Sequence, residues 1–211
     1  MCIRDRPVND MENGKVYWSN WMGLIDLTSS VQIQRGLGST SLAVPSAGGT
    51  VSVNTRAAEV DPGSGIKMSI GDNSYQKFTA FHNTGVNELG WSSSFLLGFW
   101  QGDGWRNGMQ GEGTTYAFSV GYTPRGSDHE FNFSLIGAGQ WHHQSYYGTQ
   151  LQDYLDYGPI QGDDYRKFNA LYGDYNGEEF SILRNYYNKP LATFNWDWEI
   201  SSRVTLATSL Y

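Results

Sequence analysis

The chain has one cysteine, few charged residues and no long apolar run. The single cysteine, Cys2, excludes an internal disulfide framework and any zinc site built on thiolates. Asp, Glu, Lys and Arg together make up 17% of the 211 residues, with 21 acids against 14 bases. The resulting charge of −7 gives no electrostatic footprint for nucleic acid. The longest strongly apolar stretch, Phe95 to Trp100, is far shorter than the roughly 18 residues that suggest a membrane-spanning helix. A helical membrane protein is therefore excluded. A transmembrane β-barrel is not, because its strands alternate and keep mean hydropathy low; the value here is −0.49. The opening MetCysIleArgAspArg lacks the apolar core of a signal peptide. It reads as a translated adapter scar, so residues 1–6 are expected to be foreign to the fold.

Glycine and aromatic residues are abundant instead. Glycine numbers 26 of 211 residues, well above the usual ~7%, and aromatics reach 15%. A disordered chain would be charge-rich and aromatic-poor, and a helix-rich enzyme would avoid so much glycine. From about Gly65 onward the chain alternates with period two, the signature of strands with two unlike faces. Tyr116, Phe118, Val120 and Tyr122 oppose Thr115, Ala117, Ser119 and Gly121. Phe131, Phe133 and Leu135 oppose Asn132 and Ser134, and Ala192, Phe194, Trp196, Trp198 and Ile200 oppose Thr193, Asn195, Asp197 and Glu199. Similar rows begin at Ile66, Trp91 and Val204, while segment 75–82 is ambiguous. Seven strands in succession with barely a helix between them predict an antiparallel meander. Upstream, two short strands, Val31–Arg35 and Thr50–Asn54, flank a stretch rich in turn formers.

The connections sort by parity. After a short first connection, Asp72–Ser74, the second, fourth and sixth (Asn83–Gly90, Pro124–Asp128 and about Ser201–Ser202) are brief, whereas the third, Gly102–Gly113, is longer and the fifth, Gln140–Pro190, very long. Transmembrane barrels join strands by short turns on one side and long loops on the other. The apolar faces carry no Asp, Glu, Lys or Arg, while the opposite faces hold Lys67, Asp197, Glu199 and Arg203, as a wet lumen permits. A soluble β-sandwich would also keep one face uncharged, by packing it on a second sheet.

Residues 7–58 carry a further pattern: ProValAsnAspMetGluAsnGlyLysValTyrTrpSerAsnTrp, then ValGlnIleGlnArgGlyLeuGlySerThr, then ProSerAlaGlyGlyThrValSerValAsnThr. With Arg35, Gly36, Gly48 and Gly49 as its structural motif, this region resembles the end of the plug domain of TonB-dependent outer-membrane receptors, most closely the Bacteroidetes type. The resemblance implies a mainly β fold. Residues 7–58 would form the C-terminal part of a plug, and residues 59–211 the first strands of an antiparallel transmembrane β-barrel, about seven of an expected 22. The loop 140–190 would be extracellular. Signal peptide, TonB box and the first half of the plug are not in the sequence, so a fragment is expected. The implied function is import of a scarce or bulky nutrient (siderophore, cobalamin, glycan or peptide) across the Gram-negative outer membrane. Its implied partners are outer-membrane lipid, the TonB energy-transducing complex and the ligand, with a surface lipoprotein as a further candidate. The alternatives are a soluble carbohydrate-active β-sandwich (glycosidase or lectin) and a non-energised porin or adhesin.

No catalytic residue, cofactor or metal is expected. GlyLeuGlySerThrSer at 36–41 lacks the third glycine of a dinucleotide fingerprint, and Pro45 blocks the helix that should follow. Asn195, Asp197 and Glu199 share one strand face. Paired carboxylates there would suit a glycosidase, but lumen-lining polarity accounts for them, since Trp196 and Trp198 occupy the other face as a lipid-facing girdle would. His142 and His143 are adjacent and cannot both face one way on a strand. Asp163 and Asp164 lack calcium-loop spacing. The ligand candidates are Met11, Glu12, Tyr17, Trp18 and Trp21 of the apical plug segment, with Trp141, His142, Tyr146 and Tyr147 of the long loop. That loop holds nine of the 14 tyrosines, and seven acids against four bases. This balance predicts a neutral or weakly charged, ring-bearing ligand such as a glycan or compact chelate.

Overall fold

The computed structural model of the chain describes residues 2–3, 6–10, 12–21, 24, 28–36, 48–55, 57–146 and 148–211. Two sheets organise it. The N-terminal one comprises β1 (Cys2–Ile3), β2 (Arg6–Pro7), β3 (Ser30–Arg35) and β4 (Gly49–Asn54), in the order β2-β1-β4-β3. β3 and β4 form an antiparallel hairpin whose register pairs Arg35 with Gly49, and β1 lies parallel to β4. The first residues thus take a place in the sheet, and Ile3 is buried. Gly36 and Gly49 both adopt positive φ, +72° and +120°. At Gly49 a side chain would run into the carbonyl oxygen of Gln34, so the end of this hairpin demands glycine.

The large sheet is a meander: β5 (Gly63–Ile70), β6 (Gln76–Asn83), β7 (Trp91–Gly102), β8 (Gly111–Tyr122), β9 (His129–His143), β13 (Leu191–Ser201) and β14 (Val204–Leu210), each antiparallel to the next. The ambiguous segment 75–82 is strand β6. Between β9 and β13 the chain forms α1 (Leu151–Gln161), the hairpin β10 (Tyr172–Tyr175) and β11 (Glu178–Ser181), and β12 (Arg184–Tyr187). β12 returns to pair with the far end of β9, Arg184 opposite His143 and Tyr187 opposite Gln140. β9 therefore carries β13 along its first half and β12 along its last turns. Connections 71–75, 103–110 and 144–190 gather at one end, where Asp103 donates its amide hydrogen to Asn73 and Asn107 to Lys167. Connections 84–90, 123–128 and 202–203, none longer than seven residues, gather at the other.

The large sheet is inside out compared with a soluble one. Its apolar row is exposed: Ile66 70%, Ile70 84%, Leu97 67%. Its polar row is buried, with Thr79, Ser92, Ser94 and Ser134 each 2% exposed. Ser134 donates to Asn132 Oδ1 (3.0 Å) and shares a hydrogen bond with Ser119 (2.9 Å). The polar face is covered by the N-terminal unit. One register row breaks the polar pattern: Phe81, Leu96, Ala117, Ile136 and Leu191 lie opposite one another across five strands. Leu96, Ala117 and Ile136 pack on Ile3, Leu24 and Val53, with Phe81 and Leu191 flanking. The two units are held together by that apolar row.

The outer face has a belt at the short-turn end. Trp91 stacks on Tyr122 at 4.3 Å, Phe131 on Trp196 at 6.4 Å and Trp196 on Trp198 at 6.2 Å. His129 lies between the last two and accepts a hydrogen bond from the Trp196 indole at 3.2 Å.

Candidate functional site

The long connection is a folded unit. The backbone N–H of Gln150 donates to Asp153 Oδ2 (2.9 Å), which ties down the start of α1. Arg166 grips Asp164 with a fork, Nε to Oδ1 at 2.7 Å and Nη2 to Oδ2 at 2.9 Å. That pairing holds the exposed Asp164 carboxyl below the usual range, chiefly through the hydrogen bond from Arg166. Asn169, fully buried, is the hub. Its Nδ2 donates to the carbonyls of Asn107 (2.9 Å) and Gln144 (3.3 Å), and its Oδ1 accepts from Leu171 N (3.1 Å). Gln161 answers it: its Oε1 accepts from Asn169 N at 3.0 Å, and its Nε2 donates to the carbonyls of Asn169 and Tyr172 at 2.8 and 2.7 Å. Asn169 and Gln161 thereby join helix, hairpin and the 103–110 connection. Nothing in sequence spacing distinguishes them from other surface amides.

This unit encloses a cleft of about 780 Å³. α1 contributes Asp153, Tyr157, Ile160 and Gln161, the following turn Phe168 and Ala170, the hairpin Tyr172, Gly173, Asp174 and Glu179, and the irregular segment between β9 and α1 Tyr146, Gly148 and Thr149. Phe168 is buried, with Tyr157 stacked at 6.2 Å and Tyr154 edge-on at 5.8 Å. The ionisable lining groups are three carboxyls and three phenols, without Lys, Arg or His. Burial raises the Tyr172 pKa, and the hydrogen bond and charge of Glu179 and the charge of Asp174 raise it further.

A second cleft, about 450 Å³, lies between the N-terminal unit and the end of the long connection. Glu12, Tyr17 and Trp21 line it with Pro7 to Asp10, facing Lys189, Pro190 and Leu191. Asn13 Nδ2 donates to the Tyr17 hydroxyl at 2.7 Å.

The residues singled out from the sequence thus fall in separate places. Glu12, Tyr17 and Trp21 share the second cleft, while Trp18 is exposed beside it and outside its lining. Tyr146 lines the first cleft. Trp141 lies on the outward face, where its indole N–H donates to Glu112 (2.9 Å) and its ring stacks on Tyr186 (6.4 Å). His142 faces inward against Tyr187, edge-on at 6.4 Å, and His143 faces outward toward Trp141 at 5.4 Å. Met11, Tyr147 and the turn 37–47 lie outside the described residues. Asn195 is buried on the inward face, and its register neighbours on that face are Asn132 and Ser209. Among the described residues no three His, Cys, Asp or Glu side chains converge as a metal site.

No family model matches the chain, and no curated protein is significantly similar to it. Solved structures are. The open form of the ferric-catecholate import receptor Fiu from E. coli K12 superposes with a TM-score of 0.68 at 16% identity, over 99% of this chain and 30% of that one. The siderophore receptor PiuA from Acinetobacter baumannii gives 0.56 at 15% identity, over 85% and 25%. The FrpB iron transporter from Neisseria meningitidis gives 0.56 at 14% identity, over 87% and 28%. The chain spans less than a third of the length of each. It has the fold of that stretch of these import proteins: a partial antiparallel barrel with a small sheet seated on its inner face.

Proposed function

We propose that the chain is the end of the plug and the first barrel strands of a TonB-dependent receptor in the Gram-negative outer membrane, importing a scarce or bulky nutrient. The observation that carries this is the inverted sheet, apolar where exposed and polar where buried. Lipid is the solvent in which such a surface is stable. The dimensions agree. From Tyr122 in the aromatic belt to Glu112, the first charge on the outward face of β8, is ten residues. That is ~34 Å along a strand and ~25 Å along the membrane normal at a ~45° tilt, about the height of an outer-membrane apolar band.

In this reading the belt lies at the periplasmic interface, and the 144–190 unit stands outside the cell. Ligand enters past that unit toward Glu12, Tyr17 and Trp21 on the plug, and force transmitted through TonB frees the plug from its apolar row. No bond is made or broken by this chain. The Arg35–Gly36 and Gly48–Gly49 pattern supports placement among the Bacteroidetes-type receptors, where a surface lipoprotein is a candidate partner.

Two experiments on the full-length gene test this. The product is expected in outer-membrane fractions with heat-modifiable mobility, and growth on its nutrient is expected to be lost when TonB is deleted. Recovery in the soluble fraction would refute the receptor. Membrane location with TonB-independent uptake would favour a passive porin.

A further inference from the structure

Resting on the receptor function proposed above, we infer that the cleft between α1 and the β10–β11 hairpin selects ligands bearing an organic cation, an ammonium or guanidinium group beside an apolar or aromatic moiety. Three observations converge on this chemistry.

Asp153, Asp174 and Glu179 approach the cleft from two elements, and each is fixed by a local hydrogen bond. Asp153 accepts from Gln150 N (2.9 Å), Asp174 from Gly177 N (2.8 Å), and Glu179 pairs with the Tyr172 hydroxyl. Carboxylates held this way are preorganised acceptors. The aromatic lining, Tyr157, Phe168 and Tyr172 with Tyr146 at the mouth, offers ring faces to which a desolvated cation is attracted.

Three arginines nearby are committed elsewhere. Arg166 is forked to Asp164. Arg184 lies 4.9 Å over the Phe180 ring and donates to the Ser181 carbonyl. Arg106 donates to the Tyr146 carbonyl and lies 5.7 Å over Tyr154. An anionic ligand would therefore meet three carboxylates and no cation among the lining groups. Burial is the main cause of the raised Tyr172 pKa, and the charges of Glu179 and Asp174 add to it. A cleft of about 780 Å³ suits a ligand of a few hundred daltons.

The test is calorimetry on the full-length receptor in detergent with three probes: the peptide Lys-Trp-Lys with its N-terminus acetylated and its C-terminus amidated, the same blocked peptide with both lysine side chains also acetylated, and a ferric tris-catecholate complex. Lys-Trp-Lys is expected to bind about tenfold or more tighter than its side-chain-acetylated form and to weaken with added salt. Glu179→Gln with Asp174→Asn should abolish that preference while leaving the side-chain-acetylated peptide unaffected. Tyr157→Leu should weaken Lys-Trp-Lys without touching a carboxylate. Equal affinity for the two peptides, tighter binding of the ferric complex, or no Lys-Trp-Lys binding at millimolar concentration would overturn the cation assignment. None of these would displace the receptor from the outer membrane, so failure of the ligand class and failure of the receptor reading are separately visible.

Discussion

Tyr116 and Gly137 show at the scale of single residues why this chain is rich in glycine. They pair across β8 and β9, and the tyrosine ring lies where a side chain on residue 137 would go. Phe81 covers Gly65 in the same way across β5 and β6. Gly137→Ala is expected to cost about 1–3 kcal/mol by overpacking. Tyr116→Leu in the same background should recover most of it, and a double-mutant cycle on urea unfolding measures the coupling. Asn169 matters by a different mechanism. Asn169→Ala leaves part-buried groups of Asn107, Gln144 and Leu171 short of partners, at up to about 1 kcal/mol for each group left unsatisfied. Hydrogen exchange should quicken across 151–181 and stay unchanged in β7 and β8. Unchanged exchange in the loop would remove Asn169 from its role as hub.

At the scale of elements, the alternating strands were legible because lipid and lumen impose opposite demands on successive residues. Segment 75–82 was ambiguous for a physical reason: Phe78 faces outward, while Phe81, on the other face, meets the N-terminal unit. Leu96 escaped notice for the same reason, being an apolar residue on a polar face. It marks the row by which the large sheet and the N-terminal unit adhere. In the proposed receptor, Leu96→Ser should leave barrel assembly intact and loosen the N-terminal unit, read as increased entry of an antibiotic too large for porins. Leu97→Ser, one residue away and facing outward, should leave entry unchanged; equal effects would deny the row its role. The long connection could be recognised by length and tyrosine content alone. Gly158 and Pro159 interrupt the helical pattern of α1, and β12 is a four-residue strand whose pairing with β9 no local signal foretells. The first cleft was therefore visible only through Tyr146, because its walls come from elements with weak signatures of their own.

At the scale of the whole molecule, the account depends on which face meets lipid. Leu97 and Gln101 are both exposed on the outward side of β7, the first midway up the apolar band and the second at its rim. Arginine at Leu97 should cost ~2–4 kcal/mol of folding free energy into bilayers, and at Gln101 ~0–1 kcal/mol. Equal costs would mean that no depth-dependent apolar medium surrounds the sheet. The most direct measurement is a spin-label scan along β8 in the full-length receptor, reconstituted in bilayers with Cys2→Ser and single cysteines placed at 115 through 122. Collision with oxygen, which concentrates in lipid, should peak at 116, 118 and 120 and fall at 115, 117 and 119, where the polar face is covered by the N-terminal unit. The opposite phase, or contact with a water-soluble reagent at 116, 118 and 120, would contradict the account.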